Sequence, residues 1–304
     1  MADKNIPAYI ETYRSGKLAE KIRRAYEILE DCVLCPRQCH VNRMAGETGV
    51  CRTGNQMIAT SFHPHFGEES PLVGRNGSGT IFITYCSLMC RFCQNYDISH
   101  EGWGEPVTDS QAAEMMLVLQ KKGCHNINFV TPTHVIPMIL SALEKAVEGG
   151  LKIPLVYNSG GYDRVETLGL LEGIFDIYMP DLKFMDTEIA RRACDAPDYP
   201  ETARAALKEM HRQVGELVIN DQGIAVRGLL VRHLVLPDDM AGTAEAMRFL
   251  AREISPDTYV NVMSQYRPAG KAPEIPGLSK PLSPEQYHAA VADARREGIT
   301  RLDR

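Results

Sequence analysis

The spacing of apolar positions changes several times along this chain, and each change predicts a different element. Leu18, Ile22, Ala25 and Leu29 recur at helical intervals and predict an amphipathic helix near the N-terminus. Residues 32–79 lose both periods and are rich in Gly, Pro, Asn and His. Such a stretch stays ordered only where something ties it down. From Thr80 short apolar runs return and predict six strands, at 80–85, 127–130, 153–157, 176–180, 229–236 and 259–263.

Helix signals fall between these runs. Thr108 with Gln111 predicts a capping box ahead of Met115 and Leu119. Val135, Ile139, Leu143 and Ala146 mark the next helix, Asp163 with Glu166 predicts the cap of another, and Ser283-Pro284 opens the last. Strands alternating with helices predict parallel β-α units with right-handed crossovers. The expected fold is α/β, a partial (β/α)6 barrel over residues 77–304, preceded by an N-terminal helix and a cysteine-rich extension over 1–76. Chemistry in such barrels sits at the C-terminal ends of the strands. The candidate positions are therefore Cys86 onward, Thr131 to His134, Asn158 to Gly161, Asp181 to Lys183, Arg232-His233 and Gln265 to Arg267.

Composition narrows the class. The chain has 304 residues, 44% hydrophobic and 24% charged, as in soluble globular proteins. A net charge of -6 argues against broad electrostatic binding to nucleic acid. No run approaches about 18 consecutive apolar residues, so no membrane span is expected. The polar segment MADKNIPAYIETYRSGK lacks the apolar stretch of a signal peptide, and a cytoplasmic protein is expected.

The nine cysteines change the picture most. Four lie between Cys32 and Cys51, three between Cys86 and Cys93, and Cys124 and Cys194 stand alone, matching no spacing. An odd total, tight grouping and no secretion signal argue against a disulfide framework and for metal. Cys86-x3-Cys90-x2-Cys93 places three soft ligands together, suited to iron–sulfur or zinc, with packed thiols as the bland alternative. Three thiolates leave one iron of a [4Fe–4S] cluster without a protein ligand, and an open metal position is what catalysis needs.

Cys86-x3-Cys90-x-Phe92-Cys93, at the end of a first barrel strand, resembles the signature of the radical SAM enzymes. The resemblance extends from about Gly77 to Gln265. It implies a partial barrel of that type, with Cys86, Cys90 and Cys93 holding a [4Fe–4S] cluster and S-adenosylmethionine chelating the fourth iron. One-electron reduction, from a reductant such as flavodoxin or ferredoxin, then yields a 5′-deoxyadenosyl radical that abstracts hydrogen. Met179-Pro180-Asp181-Leu182-Lys183 resembles the strand end of the pyruvate formate-lyase-activating enzymes, where the acid and the lysine lie near S-adenosylmethionine. That likeness implies an activase-like enzyme, with a protein substrate as one outcome and a small-molecule or peptide-modifying reaction as another. Cofactor contacts are expected from Phe92, Asn95, Thr131, Thr133, Asn158, Ser159, Asp181, Lys183, Arg232 and His233, with Phe92 near the adenine. Thr131-Pro-Thr-His134 departs from the family's Gly-Gly-Glu-like turn.

Cys32-x2-Cys35-x3-Cys39-x11-Cys51 can close a tetrahedral zinc site or hold a second cluster. The same four-cysteine preface occurs in the activase-like relatives that the chain resembles. His40, His63 and His65 are near enough in sequence to replace a ligand. A two-cluster electron-transfer or redox-sensing protein is the rival from another class, and a zinc-stabilised binding module explains only the first group.

Overall fold

The computed structural model describes residues 6–303; residues 1–5 of the polar N-terminal segment and Arg304 lie outside them. The predicted first helix is Lys17–Glu27 (α2), preceded by a helix that the apolar spacing did not reveal, Ala8–Arg14 (α1). Gly16, left-handed at φ 75°, separates the two. Leu18 and Ala25 are buried, as the stripe requires.

The following segment is less irregular than expected. The cysteine-rich part holds only the 3-10 turn Arg43–Ala45, but Met57–His65 (β1) is a strand. Pro64 disguises it in the sequence. It is tolerated because Glu105–Val107 (β3) pairs only with residues 57–59, so β1 is the sheet edge at Pro64. Ser70–Val73 (α3) then leads into Ser78–Ile83 (β2), which pairs antiparallel with β1.

Beyond β3 the chain alternates as predicted: Asp109–Lys121 (α4), Ile127–Val130 (β4), Ile136–Glu148 (α5), Leu155–Ser159 (β5), Val165–Leu170 (α6) and Ile177–Pro180 (β6). Thr187–Cys194 (α7), Tyr199–Val214 (α8), Val218–Ile219 (β7), Ala225–Leu234 (β8), Thr243–Phe249 (α9), Tyr259–Met263 (β9) and Pro284–Arg296 (α10) complete it. The strands β2, β4, β5, β6, β8 and β9 lie side by side, all parallel. This open array is the partial (β/α)6 barrel. The capping boxes of α4 at Thr108 and of α10 at Ser283 form in both halves. The cap expected at Asp163 does not form: α6 starts after Arg164 without a side-chain cap, and Asp163 turns inward.

Period-two alternation divides the strand residues between two cores. Ile81, Phe129, Tyr157, Tyr178, Leu229 and Val231 join the helices in the large core. Val156, Ile177, Met179 and Leu230 face the other way and pack with Leu72 of α3 in a smaller one. One step further along the same inner face come Asn158, Asp181 and Arg232, so the alternation that builds the inner core also aims these polar groups. No helix of the described residues is long and apolar enough to cross a membrane.

Candidate active site

The C-terminal ends of β2, β4, β5, β6 and β8 converge on a cavity of about 180 Å³. Cys86, Cys90 and Cys93 all line it. Their loop bends at Tyr85 (φ 69°) and Met89 (φ 55°), each immediately before a cysteine. A left-handed conformation costs a non-glycine residue roughly 1–2 kcal/mol, and such strain persists only where the surroundings enforce it. Burial pushes the Cys86 thiol up to about 12, with the neighbouring charge of Cys90 adding to it. Cys90 is raised well above the usual thiol range, first by its hydrogen bond with Cys194 and then by burial. Burial raises Cys93 as well. A metal must displace these protons before it binds, because the thiolate is the ligand.

A charged wall faces the thiols. Arg232 donates from Nε to Asp181 Oδ1 at 2.7 Å and from Nη2 to Asn158 Oδ1 at 2.7 Å. Lys183 Nζ pairs with Asp181 Oδ2, and the side chains of that pair are only 15% and 10% exposed, so it is no surface ion pair. Burial pushes Asp181 up, but the charges of Arg232 and Lys183 outweigh it and hold the carboxyl below its ordinary range. Burial would discharge Lys183 and Arg232, but Asp181, joined by the charge of Cys90 at Lys183 and by those of Glu69 and Glu68 at Arg232, more than restores the proton. The geometry of this wall depends on Tyr199, whose one hydroxyl proton is shared between the Gly160 and Asp181 carbonyls at 2.9 Å each while the oxygen accepts from Lys183 N at 2.9 Å. It depends also on Gly161 (φ 74°), where a Cβ would stand 2.2 Å from the Asp181 carbonyl oxygen.

The other predicted contacts divide. Asn95, Thr131, Asn158 and Ser159 line the cavity. The Ser159 hydroxyl, however, donates to Asp163 Oδ2 at 2.7 Å, and Thr133 donates to Asp163 Oδ1 at 2.7 Å, so both hydroxyls serve a buried carboxylate behind the wall. His233 follows Arg232 on β8 and so points to the opposite face. There its ring bonds the Leu182 carbonyl at 2.7 Å and Thr243 Oγ1 at 2.9 Å, and burial lowers it to about 4. Phe92 is packed edge-on against Phe184 with centroids 5.8 Å apart, away from the cavity lining. Tyr266 is buried with its hydroxyl on the Leu278 carbonyl, and Gln265 and Arg267 are exposed outside the cavity. His134 is buried on the Thr84 carbonyl, 2.9 Å away.

The first cysteine group forms a second cluster of thiols. Cys32, Cys35 and Cys51 are buried and Cys39 half-buried. Burial pushes Cys35 up to about 12, and the charges of Cys51, Cys32 and Cys39 act in the same direction, so the four share one neighbourhood. Gly49 makes room for Cys39, since a Cβ there would come within 2.5 Å of its Sγ. Arg43, 1% exposed, donates to the Gly54 carbonyl at 3.0 and 2.6 Å and to the His134 carbonyl at 2.9 Å, with Cys32 Sγ 3.8 Å away. These partners are carbonyls and a thiol, none of them a formal anion. A buried cation is costly without counter-charge, and thiolates holding a metal would supply it. The donor set suits zinc or a cluster equally. The histidines take no part: His40 pairs with Asp31 at 2.9 Å, and His63 and His65 lie on β1 against Phe82.

Among the described residues, no group of three or more His, Cys, Asp or Glu side chains is already closed around a point for a single metal ion. The thiols of each group share a neighbourhood, and Cys86, Cys90 and Cys93 share a cavity. That cavity is smaller than the ~300–1,000 Å³ of pockets that enclose a drug-sized ligand, so it would surround only part of a molecule as large as S-adenosylmethionine. A larger groove of about 720 Å³ on the outer side, along β9 and α10, contains no thiol.

Several participants were invisible in the sequence. Cys194, expected to be incidental, is 1% exposed with its sulfur 3.4 Å from that of Cys90. Its separation from the motif hides it. Glu68 approaches Arg232 Nη1 at 3.9 Å from a segment that showed no period. Glu68 left no signal beyond its charge.

Comparison with known proteins bears on this site. A family model described as the radical SAM superfamily matches residues 80–226. An uncharacterized protein of Methanocaldococcus jannaschii is 32% identical over 299 residues, covering 95% of this chain and 82% of that protein. Among solved structures, a methylornithine synthase matches with a TM-score of 0.44 and 16% identity, over 72% of this chain and 67% of that one. A cobalamin-dependent S-adenosylmethionine radical enzyme matches with a TM-score of 0.42 and 13% identity, over 75% of this chain and 32% of that one.

Proposed function

The chain belongs to the radical SAM superfamily, and from that premise we propose that Cys86, Cys90 and Cys93 hold its [4Fe–4S] cluster in an activase-like enzyme. The observation that carries this reading is the convergence of three thiols and the Asp181–Lys183–Arg232 wall on one cavity at the strand ends. When bound, the cluster and S-adenosylmethionine supply one-electron chemistry that ends in hydrogen abstraction from a substrate. The protein supplies orientation and exclusion of water.

Asp181 is kept ionised and is the acceptor for a cationic group of S-adenosylmethionine. Arg232 and Lys183, both charged, hold that carboxylate in place and are placed to meet an anionic group. Asn158, tied to Arg232, and Thr131 and Asn95 at the wall complete the contacts. Ser159 and Thr133 act from behind through Asp163, while Phe92 and His233 support the site by packing. Cys32, Cys35, Cys39 and Cys51 hold zinc or a second cluster within the extension of residues 1–76, ahead of the catalytic unit of residues 77–304. An electron donor of the flavodoxin or ferredoxin type and a cytoplasmic location suit nine free thiols. The activase-like assignment rests on the Asp181-Leu182-Lys183 strand end, and a polypeptide substrate would follow from it.

Asp181→Asn tests the wall. In the reduced, reconstituted protein, adding S-adenosylmethionine should change the electron paramagnetic resonance of the cluster. The variant should retain its iron but require about 100-fold more S-adenosylmethionine for the same change, the scale of breaking a buried charge pair. An unchanged titration would remove Asp181 from the binding site.

A further inference from the structure

The two cysteine groups are joined by one side chain. Arg37 lies between Cys35 and Cys39, and its guanidinium partners are main-chain carbonyls, with no carboxylate among them. Nε donates to the Ser87 carbonyl at 3.0 Å and Nη2 to that of Leu88 at 3.0 Å, both within the loop between Cys86 and Cys90. Nη2 also donates to the Cys194 carbonyl at 2.7 Å, and Nη1 to that of Asp195. The guanidinium lies 5.4 Å from the ring centroid of Tyr162, itself held by Asp198 at 2.8 Å.

These four carbonyls belong to two segments that need outside support. The cysteine loop carries left-handed Met89, and α7 ends at left-handed Asp195 (φ 50°). The helix end presents unsatisfied carbonyls and partial negative charge, both of which a cation satisfies. A planar fork of five donors fixes the separation of everything it binds, which a flexible ammonium does not. That separation determines where Cys194 Sγ stands relative to Cys90 Sγ, now 3.4 Å.

We propose that Arg37 is a positioning residue that couples the two groups: closure of the Cys32–Cys51 site by its metal holds Arg37 where it locks the Cys86–Cys93 loop and Cys194 in register. The inference rests on the reading of Cys86, Cys90 and Cys93 as cluster ligands. Opening of the first site releases the lock, and the second site then holds its iron less well.

The test uses the whole 304-residue chain reconstituted with iron and sulfide under anaerobic conditions. Alkylation of each cysteine is timed by mass spectrometry in the wild type, Arg37→Ala, Arg37→Lys, Cys35→Ser and the Arg37→Ala/Cys35→Ser double variant. Cys124, buried ahead of β4 and outside both groups, reports global opening. Arg37→Ala should speed alkylation of Cys86, Cys90, Cys93 and Cys194 about 10-fold, as expected for the loss of a group supporting metal ligands, and leave Cys124 unchanged. Arg37→Lys should fall between. Cys35→Ser should reproduce the effect, and the double variant should exceed neither single one. Unchanged rates in Arg37→Ala, equal acceleration at Cys124, or additivity with Cys35→Ser would each overturn the coupling. If iron and sulfide give the wild-type Cys86, Cys90 and Cys93 no protection, the cluster reading fails instead. The iron-free rates at Cys90 and Cys194, with and without Arg37, then decide the coupling by the same criteria.

Discussion

Glu68 shows how burial and charge compete at a single residue. Burial pushes its carboxyl up to about 7, while Arg232 pulls it back. The folded protein therefore binds this proton more tightly than the unfolded chain does. Its contribution to stability is complete below the ordinary value of 4.5 and is lost as pH rises through about 7. Glu68→Gln removes that dependence, so the variant should gain stability relative to wild type between pH 5 and pH 8, read from urea denaturation at each pH. A difference independent of pH would contradict the burial argument. At this scale the thiols were legible because their spacing carries chemistry, and so were Asp181 and Lys183. His233 was misread although the signal was present: Leu230 and Arg232 share one face of β8, so the residue between them and the next helix turns outward. Phe92 sits beside a cysteine in sequence, but its ring is claimed by Phe184. Side-chain direction in a loop leaves no such pattern to read.

At the scale of elements, the turn after β5 carries the heaviest constraint. Gly161 has φ 74° and no room for a Cβ beside the Asp181 carbonyl. Gly161→Ala should cost about 2–3 kcal/mol in chemical denaturation and displace the strand end that presents Asp181. Stability equal to that of wild type would show that the turn relaxes. The six parallel strands were legible because strands covered on both sides read as unbroken apolar runs. β1 was hidden because an edge strand tolerates Pro64 and its inner face carries histidines. The cap of α6 was misassigned because Asp163 is equally suited to a cap and to a buried hydrogen-bond acceptor, and here Thr133, Tyr157 and Ser159 occupy it. Caps at Thr108 and Ser283 met no such competition and formed as read.

In the whole molecule, three thiols open onto a cavity and a second group of four lies ahead of them in the chain. The separation has a direct consequence for metal content. A Cys86→Ala/Cys90→Ala/Cys93→Ala variant should still carry metal at the first group, as zinc or as iron with sulfide, measured by elemental analysis. A folded variant without metal would leave the buried charge of Arg43 unexplained. As proposed above, Cys86, Cys90 and Cys93 make this chain an enzyme that cleaves S-adenosylmethionine. The most direct measurement is the 5′-deoxyadenosine formed when the anaerobically reconstituted protein receives S-adenosylmethionine and dithionite. The wild type should form 5′-deoxyadenosine and the triple variant none, whereas none from wild type with a full complement of iron would contradict the claim.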